Sequence, residues 1–199
     1  MIIYFLIPLL FGIGALTGLY LPTMTASINW LDSWVLAILL LSVGMQLGLE
    51  RESLRELRQH SFTTITLVIG VIVGSLLGGA LFALLVPTIE LRPALLAASG
   101  LGFYSVSSQL IEQAGLSDIA TLTLIVNILR ELIALSCAAI LVKFFGTYAG
   151  IAAAASASDS GAPVLVRAAG SVVAVPCLTT AFVLSLIVPL LVQSLLFIL

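Results

Sequence analysis

Two carboxylates stand in segments that are otherwise apolar. Glu131 lies beside Arg130 within the run 119–145, and Asp159 lies in Ser156-Ala157-Ser158-Asp159-Ser160-Gly161, between two further apolar stretches. An ionised side chain deep in a bilayer costs at least about 3 kcal/mol on insertion scales, so such groups line a pathway or pair with one another. Asn127 precedes Glu131 by one helical turn and shares its face, adding an amide to whatever the carboxylate holds. A carboxylate with an amide suits a cationic substrate or a proton. Neighbouring residues on a helix point about 100° apart, so Arg130 and Glu131 need not pair and can face different partners. The competing use of this group is a structural ion pair or polar clamp between helices. Around Asp159, unwound carbonyls and half-helix ends could join the carboxylate in binding a cation; the competing use there is an ordinary loop aspartate. Tyr104 and Ser105, in a second polar interruption, complete the candidate substrate- or proton-binding set.

These residues must be held by membrane helices. The chain has 199 residues, 61% hydrophobic and 8% charged, whereas soluble domains carry about a quarter charged residues. A water-soluble fold is excluded. A spanning helix takes about 20 apolar residues, so this length accommodates roughly five to seven membrane segments in a single transmembrane domain, 1–199. The first span is expected over 2–20 and the second over 35–49, with Trp30 and Trp34 near a headgroup boundary. The start lacks the basic region of a signal peptide, so the first helix is expected to remain in the mature protein.

The run 50–60 holds Arg51, Arg55 and Arg58, three of the seven basic residues. The positive-inside rule makes it cytoplasmic, and the N-terminus with it. A third span covers 61–85 and ends before Pro87. Residues 94–110 are interrupted by Ser99-Gly100-Leu101-Gly102 and by Tyr104, Ser105, Ser107, Ser108 and Gln109. Irregular backbone at membrane depth is tolerated only inside protein or beside a water-filled cavity, so this segment is read as broken or re-entrant. Glu112 and Gln113 close it near the interface. Leu116-Ser117-Asp118 gives an N-cap signal for a long helix, 118–144, which places Glu131 about thirteen residues from each end and near the midplane. Residues 146–170 form a second discontinuous segment, broken at Gly161 and Pro163, and 172–199 the last span. The expected architecture is an all-α integral membrane bundle with about five full spans and two broken or re-entrant segments, the first dipping from outside and the second from the cytoplasm.

Other functions find little support. Seven basic residues, mostly in loops, offer no cationic face for nucleic acid. Cys137 and Cys177 lack metal-like spacing and read as small buried hydrophobes, so neither a metal nor a cofactor is expected. The sole histidine, His60, falls in the charged loop, and Asp159 has no second aspartate at like depth, which leaves intramembrane hydrolysis without its groups. The chain is not expected to be an enzyme.

Three ordered motifs carry a resemblance: Ala98-Ser99-Gly100-Leu101-Gly102-Phe103-Tyr104-Ser105, then Asn127-Ile128-Leu129-Arg130-Glu131-Leu132-Ile133-Ala134, then Ser156-Ala157-Ser158-Asp159 followed by Pro163-Val164-Leu165. With Gly44-Met45-Gln46-Leu47, they resemble the lysine exporter LysO family, over that family's C-terminal portion. The resemblance implies export of L-lysine and toxic analogues such as thialysine across the bacterial inner (cytoplasmic) membrane, with the essential acidic residues falling on Glu131 and Asp159. It also implies further N-terminal helices, supplied by a small partner membrane subunit or by a second copy in a homo-oligomer. Exchange against protons would keep the carboxylates neutralised through the cycle. The alternatives are a transporter of another cation or amino acid and a non-transporting assembly subunit of a two-part exporter.

Overall fold

The structure, a computed structural model, describes residues 61–198 together with Trp34, Ile38, Leu41 and Met45, which are helical and exposed. Apart from those positions, the expected first two spans and the charged run 50–60 lie outside the described residues. The chain divides into two compact units, Met1–Ser42 and Val43–Leu199, and the helices below belong to the second.

Helix α1, Ser61–Leu85, is uninterrupted by proline and stops before Val86-Pro87, because the residue ahead of a proline is driven out of the helical region. Only 11% of its most apolar window is buried inside the protein, so its surroundings are lipid or other membrane helices. Beyond the turn come α2, Leu91–Ser99, α3, Tyr104–Gln113, and α4, Ser117–Ser136. Then follow α5, Ala138–Phe145, α6, Ala149–Ala154, a 3-10 turn at Ala155–Ser158, and α7, Ala162–Ala169. A second 3-10 turn, Ser171–Val173, leads into α8, Ala174–Ile198. The described residues contain no strand. Three segments, Phe62–Leu85, Ser117–Ser136 and Ser171–Ile198, are long and apolar enough to cross a membrane. The protein is an all-helical, multi-pass membrane protein.

Helix α4 packs against α2, α3 and α6, while α8 lies against α1, α2, α3 and the Ala155–Ser158 turn. A buried hydrogen bond of 2.9 Å between the Thr64 and Thr179 hydroxyls ties α1 to α8. In membranes such polar links and close backbone approach replace the hydrophobic drive that lipid cannot supply.

Both expected breaks are present, and they cross. The first occupies residues 100–103, where Leu101 and Gly102 have φ of +46° and +87°. The glycines are required by proximity: a Cβ at Gly100 would stand 2.6 Å from Asn127 Nδ2, and one at Gly102 would stand 2.9 Å from the Ala154 carbonyl oxygen. The second break begins at Ala155, with φ +57° and ψ −121°. Its placement corrects the expected one. Gly161 and Pro163 do not break a helix; they begin α7, Gly161 at the N-cap position and Pro163 in the first turn, where a missing N–H would have had no intrahelical partner. The backbones meet where the Ser156 N–H donates to the Leu101 carbonyl at 2.9 Å, with the Ser156 hydroxyl on the same oxygen at 2.8 Å.

Two further expectations are revised. The helix begins at Ser117, one residue earlier than expected, with Leu116 at the cap and Asp118 in its first turn, and the Ser117 hydroxyl donates to Glu112 Oε1 at 2.8 Å. The long helix 118–144 is divided at Cys137 (φ −98°, ψ +9°) into α4 and α5. No glycine or proline lies between Gly115 and Gly146, so the turn comes from tertiary packing of α5 against α6 and α7. Backbone bonds still bridge it, from Cys137 N to Ile133 O and from Leu141 N to Cys137 O, both 2.9 Å.

Candidate functional site

The crossing of the breaks opens a cleft of about 350 Å³, lined by Gly102, Phe103, Tyr104, Ser105, Glu131, Ser156, Ala157, Asp159, Ser160 and Ser185. Four elements contribute to it. The end of the first break and the first turn of α3 supply Phe103, Tyr104 and Ser105, α4 supplies Glu131, the second break supplies Asp159 and Ser160, and α8 supplies Ser185. Of the six residues expected from sequence, the cleft brings together Glu131, Asp159, Tyr104 and Ser105.

Ser160 links the two carboxylates. Its N–H donates to Asp159 Oδ1 at 2.6 Å, and the single proton of its hydroxyl is shared between Glu131 Oε1 at 3.3 Å and the Ala157 carbonyl at 3.0 Å. Asp159 is exposed and Glu131 half-buried, so both retain acceptor capacity towards the cleft. No Lys or Arg is among the described lining residues. Among the described residues, the two carboxylates face hydroxyls and no cation, an arrangement whose chemistry suits a positively charged group.

Asn127 and Arg130 are placed elsewhere. Asn127, 1% exposed, accepts the Gly102 N–H through Oδ1 at 2.8 Å. Its Nδ2 donates to the carbonyls of Ala97 at 2.9 Å and Thr123 at 2.8 Å. Arg130 donates from Nε to the Ala153 carbonyl at 2.8 Å, from Nη2 to the Ala152 carbonyl at 3.2 Å and from Nη1 to the Ser75 hydroxyl at 2.9 Å. Both border a separate, largely apolar cavity of about 430 Å³ beside Gly74, Ser75 and Gly78 of α1. Ser185 is the lining residue that sequence reasoning missed. Its signal was slight: it is the lone hydroxyl in the apolar stretch between Thr180 and Gln193.

A family model described as lysine exporter LysO matches residues 8–196. This chain belongs to the lysine exporter LysO family. It is also 31% identical over 161 residues to the lysine exporter LysO of Escherichia coli (strain K12), a stretch that covers 81% of this chain and 53% of that protein. The chain thus spans about half the length of the curated relative it matches. No solved structure matches it.

Proposed function

We propose that this chain forms the membrane path of a secondary transporter that exports L-lysine, and side-chain analogues such as thialysine, from the cytoplasm. The observation that carries this reading is the convergence of Glu131 and Asp159, from separate elements, on one cleft where two interrupted helices cross. Its volume falls within the range of small-ligand sites, about 300–1,000 Å³. The carboxylates take the ammonium groups, while Tyr104, Ser105, Ser160 and Ser185 supply hydroxyls. The first-turn N–H groups of α3 lie beyond the reach of intrahelical bonds and border the same space, giving the substrate carboxylate a complementary end.

An empty cleft with two ionised carboxylates carries uncompensated charge in a low-dielectric setting, so exchange of lysine for protons keeps the site neutral in both directions of travel. Alternating access follows from movement of one helix group against the crossed breaks. The protein lies in the bacterial inner membrane with its N-terminus in the cytoplasm, in line with the basic run at 51–58.

The test is lysine and thialysine tolerance in an exporter-deficient bacterium expressing wild type, Glu131→Gln or Asp159→Asn, with membrane levels measured. Wild type restores tolerance and the neutral isosteres do not. Tolerance conferred by Glu131→Gln would remove the carboxylate mechanism. A well-inserted wild type that fails beside a full-length relative that succeeds would favour an assembly role or another substrate.

A further inference from the structure

Helix α4 carries Asn127, Arg130 and Glu131 within little more than one turn. Glu131 lines the cleft; Asn127 and Arg130 serve backbone groups that the two breaks leave without partners. In the first break the chain turns left-handed at Leu101, whose N–H reaches back to the Ala98 carbonyl. The Ala97 carbonyl thereby loses its helical donor, and Asn127 Nδ2 replaces it while Oδ1 takes the Gly102 N–H. In the second break the Ser156 N–H crosses to Leu101. That leaves the Ala152 carbonyl at the end of α6 without its helical donor, and Arg130 caps this carbonyl together with that of Ala153. A guanidinium fits this place on two grounds: its fork presents several donors at once, and a helix C-terminus is the negative end of the backbone dipole. Its third bond, to Ser75, anchors the clamp to α1.

We propose that Asn127 and Arg130 are positioning residues. They hold the two breaks in register, and so hold Glu131 and Asp159 at one cleft, without themselves touching the cargo. The statement about cargo rests on the transport reading above; the statement about register does not.

Backbone hydrogen exchange of the protein in lipid nanodiscs tests the register. Asn127→Ala and Arg130→Met should speed exchange of amides in residues 100–103 and 155–161, that of Ser156 most of all, by about tenfold to a hundredfold, the worth of one or two hydrogen bonds to a charged or buried group. Arg130→Lys, able to cap one carbonyl, should fall between wild type and Arg130→Met, and it serves where the methionine variant does not fold. Glu131→Gln should leave these amides at the wild-type rate. Unchanged exchange in Asn127→Ala and both Arg130 variants would overturn the inference. A second arm measures binding of lysine and of lysinamide, which lacks the carboxylate. A positioning role weakens both ligands by the same factor, with partial recovery in Arg130→Lys. A loss confined to lysine would place Arg130 on the substrate carboxylate and overturn the proposal. Should wild type bind neither ligand while the exchange differences appear, the clamp stands and the lysine reading falls.

Discussion

The two breaks solve the same backbone problem with different materials. Residues 100–103 form a short, largely buried interruption built on Gly100 and Gly102, where a Cβ would collide with Asn127 or with the Ala154 carbonyl. The break that starts at Ala155 is longer. It passes through a buried 3-10 turn, is anchored to α8 by the Ser158 hydroxyl on the Cys177 carbonyl at 2.9 Å, and emerges at the exposed pair Asp159 and Ser160. The first break supplies shape, since its glycines let two backbones touch. The second supplies charge, since the chain returns to the protein surface where its carboxylate stands. The proposed transport site uses both: close approach holds the crossing, and an exposed carboxylate would give the cargo something to bind.

The comparison breaks most visibly at Gly102. Gly102→Val should place a branched side chain at φ +87° and against the Ala154 carbonyl, costing about 3 kcal/mol or more in stability and abolishing tolerance to thialysine. Thermal unfolding in detergent and whole-cell growth read the two effects. Gly170 provides the control, because it has φ +89° with nothing within 4 Å of a Cβ; Gly170→Ala should cost only about 1 kcal/mol and leave transport unaltered.

At the charged break the expectation is inverted. Asp159→Asn and Glu131→Gln should lower lysine transport in vesicles about tenfold to a hundredfold with melting temperature unchanged, because in the proposed mechanism the carboxylates bind cargo and hold little of the fold. A fall in melting temperature to match the loss of transport would make both residues structural ties. Ala155 sharpens the contrast further. Its φ +57° and ψ −121° are strained for a side chain with a Cβ, so Ala155→Gly should be neutral or raise stability by about 1 kcal/mol, the opposite of any change at Gly102. The smallest effect is expected at Ser185, where Ser185→Ala should raise the KM for lysine about fivefold and leave stability intact, the loss of one hydrogen bond in a cleft.

Much of the frame follows from the amino-acid sequence. Its apolar content dictates membrane helices, Pro87 ends α1 in advance, and the Gly100 and Gly102 pair marks where an apolar segment cannot remain helical. Charge in a low-dielectric segment is costly wherever the chain folds, so Glu131 and Asp159 stood out as functional candidates from their neighbours alone. Tertiary structure decided the rest. Periodicity placed Asn127 on the face of Glu131, yet Asn127 serves the first break and Glu131 the cleft, because a side chain's partner depends on which orphaned backbone group comes within reach. The turn at Cys137, the start of the second break at Ala155 rather than Gly161, and the arrival of Ser185 in the cleft carry no strong local signal. Each arises where distant segments meet: hydrogen-bond demand and packing space at a crossing are properties of two backbones together, and neither backbone encodes them alone.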